Sequence, residues 1–379
     1  MRIIADSQIP FLNGVLEPYA DVVYMDGNEI GPEQVHSAEA LLVRTRTRCD
    51  EQLLSGSKVR FIGTATIGKD HIDIPWCESQ GIAWANAPGC NAQAVCQYVM
   101  SALLALSVRH KIPLEGKTLG IIGVGAVGSR VAAAATALGM RTLLNDPPRA
   151  AKEGRKRFDS LRNLQTQSDF LTIHTPLEMT GRHPTYRLIN GDFLAKLSTR
   201  TWLLNTSRGP VVDNTALRVA LRSNSIAGAV LDVWEGEPTN LDSELIRLTE
   251  VATPHIAGYS LEGKANATSQ IIRALARHFS IASLSEWAVP TEALTPPPLA
   301  KIQLPPGACD EACLHSLVQR CYDIRSDDED LRQDPSSFET LRSRYVYRRE
   351  FSAYQVDASS LPSPSITKKV KGLGFQLSI

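Results

Sequence analysis

The chain has 379 residues, with 40 Lys and Arg against 40 Asp and Glu, 43% hydrophobic residues and 21% charged ones. Such a length suggests two or three domains, because single cores seldom grow past roughly 250–300 residues. A net charge of zero lacks the basic footprint of a general nucleic-acid or anionic-membrane binder, so neither partner is expected.

Residues 1–6 read as the start of a strand and not as a secretory signal. The longest apolar stretch, residues 99–108, is well short of the ~20 residues that span a bilayer. Seven cysteines (49, 77, 90, 96, 309, 313 and 321) are odd in number and widely scattered, which suggests free thiols in a reducing, cytoplasmic compartment. Cys309, Cys313, Cys321 and His315 can be drawn as a metal site. Their spacing lacks the paired CxxC signature, so plain thiols and no metal are expected.

Along the chain, residues 40–43, 59–63 and 81–84 are short apolar runs separated by polar helical patterns, the rhythm of a parallel sheet with crossover helices. After a turn at 86–91, Ala92, Val95, Cys96, Val99, Met100, Leu103 and Leu104 follow helical spacing. This helix is apolar enough to be buried, and a place between two domains is expected for it. Residues 117–122 open a second βαβ series, with strands expected at 142–144, 170–173, 202–205, 229–231 and 251–252, and an amphipathic helix over 266–280. The Pro-rich stretches 295–298 and 305–307 read as linker or loop. Residues 359–365 carry few structural signals, and 370–378 suggests a closing strand.

Gly123-Val124-Gly125-Ala126-Val127-Gly128 completes a GxGxxG between an expected strand and helix, and Asp146 closes the next strand 18 residues after the last glycine. That context fits a dinucleotide fold better than a glycine turn serving packing alone. Gly123 permits the tight turn, Gly125 lets a pyrophosphate approach the backbone, and Gly128 lets the helix pack close. The helix N-terminus offers free N–H groups to phosphate. Asp146 would accept from ribose hydroxyls and repel a 2′-phosphate, which favours NAD over NADP.

Three further segments, residues 204–213, 231–238 and 252–258, each end an expected strand, where ligands bind in open parallel sheets. Their order and spacing resemble the D-2-hydroxyacid dehydrogenase family. The resemblance implies that Arg208 binds the substrate carboxylate and carbonyl, that His255 is the acid/base, and that Glu237 pairs with it. It also implies cofactor contacts at Val127, Thr175, Thr206, Ser207, Asp232 and Gly258. The residue types suit hydride transfer from a 2-hydroxy acid. Imidazole titrates near neutral pH and can take and return the hydroxyl proton. A carboxylate steadies the imidazolium, and guanidinium offers a planar fork for an α-carboxylate. Singly, each residue also has a plainer reading: a surface charge, a helix cap, a loop histidine. His174, His71 and His36 read as structural or solvent-facing, and Trp234 as core.

The implied fold is α/β: two Rossmann-like doubly wound parallel-sheet domains plus a small C-terminal α+β dimerisation domain. The substrate-binding, flavodoxin-like domain would span 1–108 and be completed by 258–285, the NAD-binding domain 109–257, and the C-terminal domain 286–379. Residues 87–91, 146–149, 255–264, 322–328, 341–345 and 348–351 carry a narrower resemblance, to homodimeric members that act on a small phosphorylated hydroxy acid. By position Thr45, Thr66 and Tyr259 would contact the substrate. Arg44, Arg46 and Arg48 follow the apolar run ending at Val43; two can face the substrate, and Arg44 is the candidate for it. The C-terminal arginines divide between dimer salt bridges and a phosphate contact. The chain departs from that group at Ser7, Gln8, Thr45, Gln97 and Ser207.

In the last segment Leu314, Leu317, Val318 and Cys321 make one apolar helix face. That face, with Tyr345, Tyr347 and Phe351, can cover a partner or pack on its own small sheet. Two other readings of the chain remain at this point. One is another dehydrogenase of the family, and the other is a non-enzymatic NAD-sensing corepressor on the same fold.

Overall fold

The computed structural model describes residues 1–294 and 310–378. The stretches 295–298 and 305–307 and Cys309 lie outside the described residues. The chain divides into two compact units, Met1–Asn91 with Ser260–Pro296, and Ala92–Tyr259 with Pro297–Ile379.

The first unit is built on β1 (Arg2–Asp6), β2 (Asp21–Met25), β3 (Ala40–Val43), β4 (Phe61–Thr64) and β5 (Ala83–Ala85). They form one parallel sheet in the order β2-β1-β3-β4-β5. Every position of β3 and β4 is buried, as the sequence runs suggested for strands covered on both faces. Strand β2, an apolar run at residues 22–25 that was not among the expected strands, lies at the sheet edge and is nowhere fully buried. The helix Leu261–His278 packs on β4, where Gly63 leaves room: a Cβ there would come within 3.4 Å of Ile271 Cβ. It begins five residues before the expected start. Ser260 Oγ accepts from Gly263 N at 2.9 Å, an N-cap whose following polar residues hide the apolar period.

The second unit carries β6 (Thr118–Ile122), β7 (Arg141–Asn145), β8 (Phe170–Ile173), β9 (Trp202–Asn205), β10 (Gly228–Leu231) and β11 (Val251–Ala252). Their order is β11-β10-β9-β8-β6-β7, all parallel. The winding reverses between β6 and β8, which makes the carboxyl ends of those strands the place for a ligand. The helix Ala92–His110 is buried over most of its length. It packs against the helices Ala126–Ala137 and Asp310–Cys321 of the same unit.

The C-terminal residues add the helices Asp310–Cys321, Ile324–Gln333 and Pro364–Gly372 and a parallel strand pair, β12 (Gln355–Asp357) and β13 (Gln376–Ser378). The expected strand over 370–378 is therefore mostly wrong. Val370 lies in the last turn of the helix Pro364–Gly372, which Ser363 caps through Ile366 N at 3.2 Å with Pro364 in its first turn, and start signals of that kind outweigh a short apolar run. Leu314, Leu317 and Val318 are buried in the core shared with the helix Ala92–His110. Phe351 stacks on Phe375 with centroids 4.5 Å apart. Their own chain covers these side chains, so they do not face a partner.

Among the described residues no helix is long and apolar enough to cross a membrane, and no group of side chains is arranged to hold a metal. The six described cysteines are free. Burial pushes the Cys49 and Cys96 thiols up to about 12, so they stay protonated.

Leu317 has no exposure, and truncating such a residue leaves a cavity. Leu317→Ala is expected to destabilise the second unit by about 2–5 kcal/mol, read from denaturant unfolding. An unchanged midpoint would contradict the placement of the C-terminal helix in that core.

Candidate active site

The chain leaves β6 through Gly123, whose φ is +85°. A Cβ there would come within 2.7 Å of the His174 carbonyl carbon and oxygen, so only glycine lets this turn press against the end of β8. At Gly128 a Cβ would collide with the Gly123 carbonyl oxygen, whereas at Gly125 it would meet nothing within 4 Å. Two glycines thus serve close packing and the middle one faces open space. The helix Ala126–Ala137 starts here with Gly125 as its N-cap and no side-chain cap, and the first N–H groups of a helix have no intrahelical partner. Val127 sits in its first turn, partly buried against the core.

Asp146 is brought back to the same turn. Its Oδ2 accepts from Val124 N at 2.9 Å and its Oδ1 from Arg149 N at 3.0 Å. Arg149, which the motif reading passed over as a contact, also donates to the Val124 carbonyl and is held by Glu153 at 2.6 Å. The Thr175 hydroxyl at the end of β8 is buried with no hydrogen-bond partner among the described residues. Beside it, His174 lies 3.1 Å from Thr172 Oγ1 and 3.3 Å from Thr206 Oγ1, and burial drives its pKa down to about 3. It stays neutral and structural. An unpartnered hydroxyl, an open cradle at Gly125 and a carboxylate at the turn are the features a dinucleotide would complete, so these residues fit NAD.

The next strand end holds the arginine. Asn205 Oδ1 accepts from Ser207 N at 3.0 Å and Ser207 Oγ at 2.8 Å, and its Nδ2 donates to the Arg208 carbonyl at 3.0 Å. Arg208 Nη1 donates to the Ser207 carbonyl at 2.8 Å. A Cβ on Gly209 would collide with the Trp234 backbone. Glycine there lets the arginine turn lie against the loop that carries Glu237.

In that loop Glu237 Oε2 accepts from Trp234 N at 3.0 Å, and Oε1 lies 2.5 Å from His255 Nδ1. Burial raises the Glu237 pKa, but the charge and hydrogen bond of His255, the Trp234 N–H and nearby Arg342 together hold it below the usual carboxylate range. Trp234 is core, its Nε1 donating to the Thr253 carbonyl at 3.0 Å. Asp232 has no exposure, and burial pushes its pKa up. Its carboxylate accepts from Thr253 Oγ1 at 2.7 Å, Ile256 N at 2.8 Å and Ala257 N at 2.9 Å. His255 itself has φ +57°, a conformation that costs a side-chain-bearing residue about 1–3 kcal/mol and persists only where the surroundings impose it.

Gly258 and Tyr259 follow. Tyr259 N donates to the Ile256 carbonyl at 2.8 Å, and its hydroxyl accepts from Arg342 Nε at 3.1 Å. In the first unit, Arg44 and Thr45 come directly after β3 and Thr66 two residues after β4, again at carboxyl ends. Thr45 is exposed. Thr66 donates to the Gly68 carbonyl at 2.8 Å, and Arg44 reaches the Gln8 carbonyl at 3.5 Å. His71, bonded to Thr64 at 3.0 Å, is held neutral by burial with a pKa of about 4.

A glycine turn at a switch point, with an arginine and a histidine–carboxylate pair on neighbouring strand ends, is the arrangement expected of a nicotinamide-dependent dehydrogenase of 2-hydroxy acids. Residues 101–257 match the family model for the D-isomer specific 2-hydroxyacid dehydrogenase, NAD binding domain, and residues 293–374 match a domain of unknown function. Erythronate-4-phosphate dehydrogenase of Bacteroides fragilis is 44% identical over 94% of this chain and 99% of its own. The enzyme of that name from Azotobacter vinelandii is 42% identical over 99% of this chain and all of its own. The TT0316 protein from Thermus thermophilus superposes with TM-score 0.62 at 27% identity, over 74% of this chain and 97% of its own. A D-lactate dehydrogenase from Aquifex aeolicus, solved with NAD and lactic acid, shares the fold with TM-score 0.62 at 24% identity, over 76% of this chain and 97% of its own. The chain belongs to the erythronate-4-phosphate dehydrogenase family within the D-2-hydroxyacid dehydrogenases. It is an enzyme, with NAD as its cofactor.

Thr175→Val removes only the unpartnered hydroxyl. Calorimetric titration with NAD is expected to show affinity weakened by about 0.5–1.5 kcal/mol, with the melting temperature unchanged. Full affinity would remove Thr175 from the cofactor site. Asp146 is expected to give NAD higher catalytic efficiency than NADP, because its charge opposes a 2′-phosphate. Equal efficiencies would count against that contact.

Proposed function

We propose that the chain oxidises 4-phospho-D-erythronate at C2 to 2-oxo-3-hydroxy-4-phosphobutanoate, in pyridoxal 5′-phosphate (vitamin B6) biosynthesis in the cytoplasm. The observation that carries this reading is the 2.5 Å His255–Glu237 contact beside the Arg208 turn. It occurs in a chain similar along nearly its whole length to enzymes named for that substrate. The C-terminal segment is part of that match, which favours this reading over phosphoglycerate dehydrogenase and over a corepressor.

In this mechanism His255 Nδ1 is engaged by Glu237, so Nε2 takes the C2 hydroxyl proton. Glu237, kept ionised, stabilises the imidazolium that forms. Arg208 holds the substrate carboxylate in its planar fork and polarises the oxygen that becomes the carbonyl. NAD, when bound, supplies the acceptor for the hydride that leaves C2. Gly123, Gly125, Val127, Gly128, Asp146, Thr175, Thr206, Ser207, Asp232 and Gly258 are its proposed contacts or supports. Arg44, Thr45, Thr66 and Tyr259 are proposed for the substrate. Residues 1–108 with 258–285 would serve substrate binding, 109–257 the cofactor, and 286–379 homodimer formation. In the last segment Val346 is an apolar side chain 88% exposed, a candidate for burial by a second copy.

Turnover of 4-phosphoerythronate with NAD, followed by NADH absorbance beside 3-phosphoglycerate, tests the substrate. Preference for the glycerate would contradict it. His255→Asn is expected to lower turnover about 10²–10⁴-fold with NAD affinity nearly intact; comparable turnover would remove His255 from its role. Sedimentation of the full chain is expected to give twice the monomer mass, and a monomer at micromolar concentration would contradict the dimer.

A further inference from the structure

The His255 loop is held from two sides, and only one of them belongs to the dinucleotide fold. On the amide side, Asp232 takes the N–H groups of Ile256 and Ala257. On the carbonyl side stands a residue from the C-terminal segment. Arg348 is 8% exposed. Its Nη1 donates to the Ile256 carbonyl at 3.0 Å, and its Nη2 donates to the Ala257 carbonyl and, at 3.2 Å, to the Ala94 carbonyl. The two consecutive residues directly after His255 thus give their amides to a buried carboxylate and their carbonyls to a buried guanidinium.

We propose that Arg348 is a positioning residue for the acid–base step: by fixing the Ile256 and Ala257 carbonyls opposite Asp232, it keeps His255 in its left-handed conformation with Nδ1 on Glu237. The proposal rests on the reading of His255 as the acid–base group. It makes the C-terminal segment part of the catalytic apparatus, acting through the loop without touching substrate or cofactor.

The surroundings of Arg348 are built to hold a charge there. Its guanidinium lies over the Tyr322 ring, 4.2 Å from the centroid, and Nη1 is 3.2 Å from the Tyr345 hydroxyl. Asp327 Oδ2 accepts from the Tyr322 and Tyr345 hydroxyls at 2.9 and 3.1 Å. Burial tends to lower the Arg348 pKa, but the two tyrosines and Asp327 outweigh it and hold the group firmly charged. The neighbouring acid does a parallel task on the strand that feeds the loop. Asp328 Oδ1 accepts from Ala252 N at 2.6 Å and from Arg332 Nε at 2.8 Å, and Arg332 donates to the Ile246 and Thr249 carbonyls at 2.6 and 2.8 Å. The C-terminal segment therefore grips the chain both before and after His255. A lysine at 348 would keep the charge but not the planar fork that reaches two carbonyls at once.

Arg348→Gln and Arg348→Lys in the full-length enzyme test the role, with wild type assayed in parallel on 4-phosphoerythronate and on its C2-deuterated form. A misplacement of the acid–base group by about 1 Å costs on the order of 10²-fold in rate. The expected result is kcat lowered about 10²-fold in Arg348→Gln and about 10-fold in Arg348→Lys. KM and NAD affinity are expected to stay within about threefold, and the deuterium isotope effect on kcat to rise as hydride transfer becomes limiting. A folded Gln variant with wild-type kcat and isotope effect would overturn the proposal. So would a loss of activity explained wholly by weaker NAD binding. If the Gln variant does not fold, the Lys variant decides: wild-type kcat and isotope effect there overturn the proposal as well. Absence of wild-type turnover would instead sink the substrate assignment, which keeps the two failures apart.

Discussion

Asp232 is a carboxylate with no exposure to solvent, and the loop that carries His255 depends on it. A buried charge is tolerated only when its lone pairs are filled, and here the donors are Thr253 Oγ1 and the amides of Ile256 and Ala257. The Asp232 carbonyl also receives His255 N at 2.8 Å. The loop cannot leave this shape without stranding the carboxylate. Tyr98 continues the arrangement, its hydroxyl 2.7 Å from Thr253 Oγ1. Desolvation cost thereby becomes positional order: His255 is held where its Nδ1 meets Glu237.

Glycines bring the remaining groups to this loop. Gly209 lets the arginine turn touch the backbone at Trp234, and Gly123 lets the glycine turn touch the end of β8. Any side chain at either position would push apart two strand ends that need to be neighbours. Arginine, glutamate and histidine come from three successive strand ends, β9, β10 and β11. The parallel sheet sets their spacing, and the close backbone approaches refine it.

Much of this was legible in the amino-acid sequence, for physical reasons. Strands buried on both faces read as unbroken apolar runs, so β3, β8, β9 and β11 lie where they were expected. The glycine turn and Asp146 were legible because fixed spacing between strand and helix is itself the signal, and the structure brings them together through Val124 N. Edge strand β2 was missed although residues 22–25 are an unbroken apolar run, and the helix Pro364–Gly372 was misread because its capping residues carry no apolar period. Arg348 and the two-sided hold on residues 256 and 257 were not legible at all. They arise from a contact between segments 91 residues apart, and no local pattern announces such a pairing. The C-terminal arginines stand out in the sequence as a cluster, but only the fold separates Arg342, on the Tyr259 hydroxyl, from Arg348, buried behind the loop.

The proposed reaction removes a hydride from C2 of a phosphorylated 2-hydroxy acid while His255 takes the hydroxyl proton. Mass spectrometry of NADH formed from 4-phospho-D-erythronate deuterated at C2 tests it most directly. The expected result is one deuterium in each NADH produced and none exchanged into water. Unlabelled NADH, or label released to solvent without NAD reduction, would contradict it.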